Sequence, residues 1–163
     1  MLLHGPFSSE SLIDKQFTGE GCDVSPPLRW TEAPAGVKTF VLIADDPDAP
    51  SRRKPAAQPW VHWVIYDIPA NRTDLPEGIE RQPLPSQVPG AKQGTNSWQG
   101  DNVGYLGPMP PVGSGPHRYF FKLYALDGAI DIEPAKATKA AVISSMTGHI
   151  LAEAELVGVY ERK

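Results

Sequence analysis

Three uninterrupted apolar runs mark the chain, and each has the length of a β-strand. Residues 39–44 (Thr-Phe-Val-Leu-Ile-Ala), 60–68 and 117–126 are rich in β-branched and aromatic side chains, which favour strands. The first run shows no polar alternation, so it predicts a strand whose two faces are both buried. Pro47 and Pro69 follow the first two runs at short distance and end the predicted strands.

The rest of the chain carries weaker patterns. Residues 28–30 predict a short strand, and the alternation over 154–161 predicts a last one. One helix is predicted at about 135–146, where alanines raise the helix propensity, with Gly148 as its stop. Nearly half of the glycines and prolines, 16 of 33, lie in 71–116, which has no sustained apolar period. This stretch therefore predicts long, ordered loops of the kind that often carry function.

Composition supports a mainly β fold in one domain. The 163 residues include 18 Pro and 15 Gly, and 40% of the residues are hydrophobic. The Pro and Gly lie between apolar runs, which is typical of turns between short strands rather than of a disordered tract. A chain of this length can bury a core of its own. Because neither a repeat nor a linker interrupts it, we predict a single domain over residues 1–163.

Charge and cysteine content narrow the possible functions. The net charge is −4, and the only basic cluster, Arg52-Arg53-Lys54, is short and lacks aromatic neighbours, so nucleic acid is not an expected partner. The single Cys22 excludes an intramolecular disulfide, and the first residues lack a secretory signal pattern, which together predict a cytoplasmic protein. No apolar stretch reaches the roughly 20 residues that span a bilayer, so no membrane span is expected.

Polar side chains of unusual type lie at or near the ends of the three strong strands. Asp46 and Asp48 follow the first strand, His62 lies inside the second, and His117 and Tyr119 open the third. The prolines that alternate with the two aspartates restrict the backbone, so the carboxylates are displayed at fixed angles. Taken singly, such aspartates more often bond turn N–H groups, and such histidines are more often buried core groups. Their joint occurrence beside proline-fixed loops favours a binding site.

The chemistry of this cluster suits a zwitterionic ligand. His62, His117 and the hydroxyl of Tyr119 can donate hydrogen bonds to phosphate oxygens, whereas a charged Asp46 or Asp48 repels them. Attraction by the histidines and repulsion by the aspartates are compatible if the ligand carries an ammonium as well as a phosphate, as phosphoethanolamine does. They are also compatible if an aspartate orients a protonated histidine. If a protonated histidine contributes to binding, affinity weakens as the pH rises through the histidine pKa.

Three segments of the chain carry a family resemblance. Residues 46–52 (Asp-Pro-Asp-Ala-Pro-Ser-Arg), 60–62 (Trp-Val-His) and 113–119 (Gly-Ser-Gly-Pro-His-Arg-Tyr) resemble the signature segments of the phosphatidylethanolamine-binding family, also called Raf-kinase-inhibitor-like. Residues 23–30 and 152–160 resemble its prokaryotic branch in particular. The resemblance covers nearly the whole chain. It implies a large central antiparallel sheet packed on a smaller sheet, with one or two short helices near the C-terminus.

The same resemblance implies an anion pocket at one end of the fold, in a binding protein without catalytic residues, metal or cofactor. Family members are linked to binding phosphoryl headgroups and to inhibiting kinases or proteases. The expected partners are therefore a phosphoryl-bearing small molecule or phospholipid headgroup, and a kinase or protease; a homodimer is expected by analogy alone. The implied ligand-binding residues are Asp46, Asp48, Trp60, His62, Pro111, His117 and Tyr119.

Two other functions stay open at this point. Two aspartates and two histidines also suit a metal-dependent or hydrolytic enzyme. Against it, no histidine or cysteine pair has metal-ligand spacing, no nucleophile has an evident base, and Gly113-Ser114-Gly115 lacks the pattern of a nucleophile elbow. The third possibility is a protein-interaction domain with a vestigial pocket, which predicts that no small anion perturbs the site.

Overall fold

Two β-sheets dominate the computed structural model, which describes residues 1–100 and 102–163. The larger sheet has the strand order β2-β9-β8-β4-β5-β7, and the smaller has the order β1-β3-β6. The strands are β1 (Leu2–His4), β2 (Ser11–Leu12), β3 (Leu28–Thr31), β4 (Thr39–Asp46), β5 (Trp60–Pro69), β6 (Asp74–Leu75), β7 (Lys92–Gln93), β8 (His117–Leu126) and β9 (Ile150–Tyr160).

The predicted mainly β class with a large and a small sheet is confirmed. Neighbouring strands pair antiparallel throughout both sheets, with one difference: the two-residue β2 lies parallel to β9. The sheets pack against each other through a shared apolar core, in which the rings of Trp30 and Phe40 lie 5.1 Å apart. The inner faces of the two sheets therefore share one apolar core between them.

The continuous apolar run of β4 is explained by a second core on the outer face of the large sheet. Phe40 and Leu42 face the smaller sheet, whereas Val41 and Ile43 pack with apolar residues of the C-terminal helical segment. Every residue of β4 is buried. A strand covered on both sides has no polar alternation, as the sequence predicted.

The predicted helix at 135–146 is present but divided. Pro134–Lys136 form a 3₁₀ turn, and helix α1 covers Lys139–Met146. The break falls at Thr138, whose hydroxyl accepts a hydrogen bond from the backbone N–H of Ala141 at 3.1 Å and so caps α1. Gly148 follows the helix with a φ of +83°, which a glycine adopts without strain. No helix among the described residues has the length and apolarity to cross a membrane.

Strand bounds differ from prediction where pairing overrides the local pattern. β4 runs to Asp46 because Asp46 pairs with Trp60 of β5, after a register shift that follows Ala44. β9 begins at Ile150, four residues earlier than predicted, because it pairs with the last residues of β8. In the described residues of the loop predicted at 71–116, the strands are the two-residue β6 and β7. The longer β4 places Asp46 at the point where β5 and β8 begin.

Candidate ligand-binding site

A cavity of about 250 Å³ lies at this end of the large sheet. Antiparallel pairing creates it, because the end of β4 meets the beginnings of β5 and β8 there. Loops from the Gly- and Pro-rich region complete the wall. The lining residues are Asp46, Ala49, Pro50, Trp60, His62, Trp98, Met109, Pro110, Pro111, His117 and Tyr119.

The structure brings six of the seven predicted site residues to this cavity and leaves one out. The six are Asp46, Trp60, His62, Pro111, His117 and Tyr119. Asp48 is buried, but its carboxylate turns to Arg118 instead of lining the cavity. A ligand-binding role for the six remains a prediction, whereas Asp48 holds the loop in place.

Asp48 fastens the 46–50 loop to the start of β8. Its Oδ2 accepts hydrogen bonds from the backbone N–H of Arg118 at 2.9 Å and from Nε of the same residue at 3.0 Å, and its Oδ1 accepts from Nη2 at 3.0 Å. Burial alone raises the pKa of Asp48, but the hydrogen bonds from Arg118 outweigh it and hold this pKa below its ordinary value. The carboxylate therefore stays ionised and paired at neutral pH.

Asp46 and His117 form a buried pair at the cavity wall. Nδ1 of His117 lies 2.7 Å from Oδ2 of Asp46, and Oδ1 of Asp46 accepts the backbone N–H of Asp48 at 2.7 Å. Burial raises the pKa of Asp46 above its ordinary value, and the hydrogen bond from His117 offsets this only in part.

Ser114 completes the hydrogen bonding of His117. Its hydroxyl donates to the carbonyl of Pro111 at 2.7 Å, so its oxygen is left to accept from Nε2 of His117 at 3.0 Å. Both ring nitrogens of His117 then face acceptors. All these bonds are satisfied when His117 carries two protons and Asp46 is ionised.

His62 has one occupied and one free ring nitrogen. Nδ1 donates to the carbonyl of Leu106 at 2.6 Å, since a carbonyl only accepts. Nε2 is buried and has no hydrogen-bond partner within the described part of the chain. Burial lowers the pKa of His62 to about 4, although the hydrogen bond to Leu106 acts in the opposite direction. At neutral pH the free nitrogen is thus an acceptor, which corrects the expectation that His62 donates to an anion.

Tyr119 presents a second unpartnered group to the cavity. Its hydroxyl is buried and has no hydrogen-bond partner among the described residues. Its ring lies edge-on to that of His62, with centroids 5.1 Å apart. Burial raises the pKa of Tyr119, so the hydroxyl keeps its proton and can donate. A buried polar group without a partner is costly in a folded protein, which makes these two groups natural contacts for a ligand.

Sequence reasoning missed several lining residues, of which Trp98 is the most informative. The Trp98 ring meets His62 edge-on at 4.9 Å and Trp60 edge-on at 5.3 Å between centroids. Trp60 is 41% exposed, so this aromatic wall reaches the surface. The available signal was a large aromatic residue in a stretch that is otherwise polar and glycine-rich. Met109 and Pro110 also line the cavity, and nothing in the local pattern singled them out.

The loop that carries Leu106 is tied to distant parts of the chain. The backbone N–H of Gly107 donates to Oδ1 of Asp23 at 2.7 Å, and Arg81 bonds both Asp23 and the carbonyl of Tyr105. A Cβ at Gly107 would lie 2.3 Å from the carbonyl oxygen of Phe17, so only glycine allows this approach. These bonds fix the Leu106 carbonyl, which in turn sets the tautomer of His62.

The donor set of the cavity is polar but carries few charges. Of the described residues that line it, none is Lys or Arg, and Asp46 is the one carboxylate. No group of three or more His, Cys, Asp or Glu among the described residues is arranged to hold a metal ion. The arrangement therefore suits recognition of a small ligand through hydrogen bonds and aromatic contact.

Comparison with known sequences identifies the family. The model of the phosphatidylethanolamine-binding protein family matches residues 4–161. A UPF0098 protein of Methanothermobacter thermautotrophicus is 45% identical over 157 residues, covering 96% of this chain and 95% of that protein. A UPF0098 protein of Aquifex aeolicus is 43% identical over 156 residues, covering 96% and 85%.

Solved structures agree with the sequence comparison. The crystal structure of a putative phosphatidylethanolamine-binding protein homologue from Chlamydia trachomatis matches with a TM-score of 0.84 and 35% identity, covering 99% of this chain and 97% of that one. YbcL of E. coli, described as a new member of the mammalian family, matches with a TM-score of 0.86 and 31% identity, covering 99% and 98%. The chain belongs to the phosphatidylethanolamine-binding protein family.

Proposed function

We propose that the protein binds a small phosphoryl-bearing ligand, such as phosphoethanolamine, in the cavity between β4, β5 and β8. The observation that carries the proposal is the pair of buried, unpartnered polar atoms in the wall, Nε2 of His62 and the hydroxyl of Tyr119. The family of binding proteins to which the chain belongs supports the same function.

The proposed contacts to the ligand come from polar and aromatic side chains of the cavity wall. The hydroxyl of Tyr119 donates to one phosphoryl oxygen. Nε2 of His117 donates to a second oxygen, which takes the place of Ser114 as its acceptor. Asp46 balances the charge of His117 at 2.7 Å and can attract an ammonium group of a zwitterionic ligand. Trp60 and Trp98 cover the apolar part of the ligand at the mouth of the cavity.

Replacing Tyr119 with phenylalanine is expected to separate binding from stability. Calorimetric titration should show about a tenfold loss of affinity for phosphoethanolamine, since a donor to a charged oxygen is lost. The free energy of unfolding should rise by about 1 kcal/mol, because the hydroxyl that is removed is buried without a partner.

Tyr66 offers a matched control on the outer face of the sheet. Its ring is buried, but its hydroxyl donates to the carbonyl of Ile132 at 2.6 Å. The Tyr66→Phe variant should therefore lose about 1 kcal/mol of stability and keep full affinity. Unchanged phosphoethanolamine affinity in Tyr119→Phe would contradict the proposed contact.

A second candidate, ester hydrolysis, is favoured by one observation. The Ser114 hydroxyl lies 3.0 Å from His117, and His117 lies 2.7 Å from Asp46. A serine hydrolase has the same series of contacts from serine to histidine to aspartate. Two observations weigh against it: the Ser114 hydroxyl donates to Pro111 rather than to His117, and Ser114 does not line the cavity. Hydrolysis of a p-nitrophenyl ester that is lost in Ser114→Ala would establish this activity.

Partners and location follow from the resemblance and the composition alone. Binding to a kinase or protease, a homodimer and a cytoplasmic location are parts of the proposal that the cavity does not address. Pull-down with the wild type and with Tyr119→Phe would show whether a captured kinase or protease depends on the occupied cavity.

A further inference from the structure

The unpartnered acceptor in the cavity narrows the class of ligand. Resting on the proposed function, we propose that the site selects a phosphoryl group that still carries one proton, which it donates to Nε2 of His62. Inorganic phosphate as the monoanion and phosphomonoesters meet this requirement. Sulfate and phosphodiesters carry no such proton near neutral pH, so they bind more weakly.

His62 is held in one tautomer by its surroundings. Its Nδ1 hydrogen is held by the Leu106 carbonyl at 2.6 Å, and the ring is 3% exposed. The remaining nitrogen has a lone pair and no hydrogen. A fully deprotonated oxygen placed against it would meet lone pair with lone pair, whereas a P–OH group makes a hydrogen bond.

The charge distribution of the cavity disfavours a dianion. Of the lining residues that the structure describes, none is Lys or Arg. When His117 carries a second proton, its positive charge is offset by Asp46 at 2.7 Å. A phosphoryl group with one negative charge is therefore better matched to this wall than one with two.

Three titratable groups among the described residues face His62 across the cavity. They are Asp46 on β4, and His117 and Tyr119 on β8. The His117 charge lowers the pKa of His62 further, in addition to the effect of burial. Burial, the largest cause of the lowered pKa, thus keeps His62 in the accepting form over the range in which phosphate exchanges its second proton.

Paired ligands test the proposal in calorimetric titrations near pH 6 and at constant ionic strength. Phosphate is expected to bind at least tenfold more tightly than sulfate, which has the same shape and lacks the proton. Phosphoethanolamine is expected to bind more tightly than glycerophosphoethanolamine by a similar factor, since the second compound is a diester like the headgroup of a lipid. This pair separates a free monoester from a lipid headgroup as the source of the ligand.

The pH profile identifies which molecule carries the proton. Apparent affinity for a phosphomonoester should fall about tenfold per pH unit above its second pKa, which is about 6. For methylphosphonate, whose second pKa is higher, the midpoint should move upwards with the ligand. A midpoint that stays fixed for both ligands would place the proton on His117 or another protein group and overturn the proposal.

The His62→Asn variant removes the acceptor and keeps the other bond. The Asn amide nitrogen can occupy the place of Nδ1 and donate to Leu106, so the fold is preserved. Phosphate affinity should fall about tenfold and its preference over sulfate should disappear. Equal binding of sulfate and phosphate to the wild type would overturn the selection but leave the anion site. Binding of neither anion would overturn the proposed function as well.

Discussion

Replacing Asp48 with alanine is expected to lower the free energy of unfolding by about 3 kcal/mol. The substitution removes three hydrogen bonds from Arg118 at once and leaves its backbone N–H without a partner. The Asp48 carboxylate is 6% exposed, so water does not replace these bonds. Urea denaturation followed by circular dichroism measures the effect.

Two control variants separate the carboxylate from its surroundings. Arg52 reaches Asp48 at 3.8 Å, but its side chain is 51% exposed, so Arg52→Ala should change stability by less than about 0.5 kcal/mol. Asp48→Asn keeps the shape of the side chain and one acceptor oxygen. Its loss of stability should therefore lie between those of Asp48→Ala and Arg52→Ala. If Asp48→Ala has the same free energy of unfolding as the wild type, the 46–50 loop does not depend on the hydrogen bonds between Asp48 and Arg118.

The second large effect is a loss of stability in acid caused by His62. Its pKa is about 4 in the folded protein, against an ordinary value of 6.5. Because the unfolded chain binds the extra proton between these values, stability is full above about pH 6.5 and falls as the pH drops towards 4. The expected loss is about 3 kcal/mol, measured as the free energy of unfolding across this range.

Other groups titrate in acid, so the His62 contribution is isolated by difference. The raised pKa of Asp46 acts with the opposite sign, since its folded form holds a proton more tightly than the unfolded chain. The lowered pKa of Asp48 matters below its ordinary value of 3.8. The difference in the free energy of unfolding between the wild type and His62→Asn should therefore decrease as the pH falls from 6.5 to 4. Parallel profiles for the two proteins would contradict a buried, neutral His62.

The sequence predicted the elements whose patterns are strong. β4, β5 and β8 are long, apolar and bounded by turn residues, and all three lie within two residues of the bounds that the pattern predicted. The two-residue strands could not be predicted, because they depend on partners far along the chain: β2 exists through its pairing with Gly158 and Val159. The same is true of the early start of β9.

The sequence indicated which side chains lie together better than it indicated their hydrogen-bonding roles. The residue types and the resemblance pointed to His62, His117 and Tyr119, which line one cavity. The role of His62 depends on the Leu106 carbonyl, 44 positions away, so no local pattern shows whether it donates or accepts. Asp48 was predicted as a ligand contact from its proline-fixed loop and the resemblance. Its pairing with Arg118 could not be foreseen, because Arg118 is 70 positions away.

Occupation of this cavity by a phosphoryl ligand can be followed through the ring signals of the four histidines in NMR. His62 and His117 line the cavity, whereas His4 lies in β1 of the small sheet and His149 bonds Asp127 at the surface. Titration with phosphoethanolamine should shift the signals of His62 and His117 in a saturable manner and leave those of His4 and His149 in place. If all four signals stay still, or all move together without saturation, the ligand does not bind in this cavity.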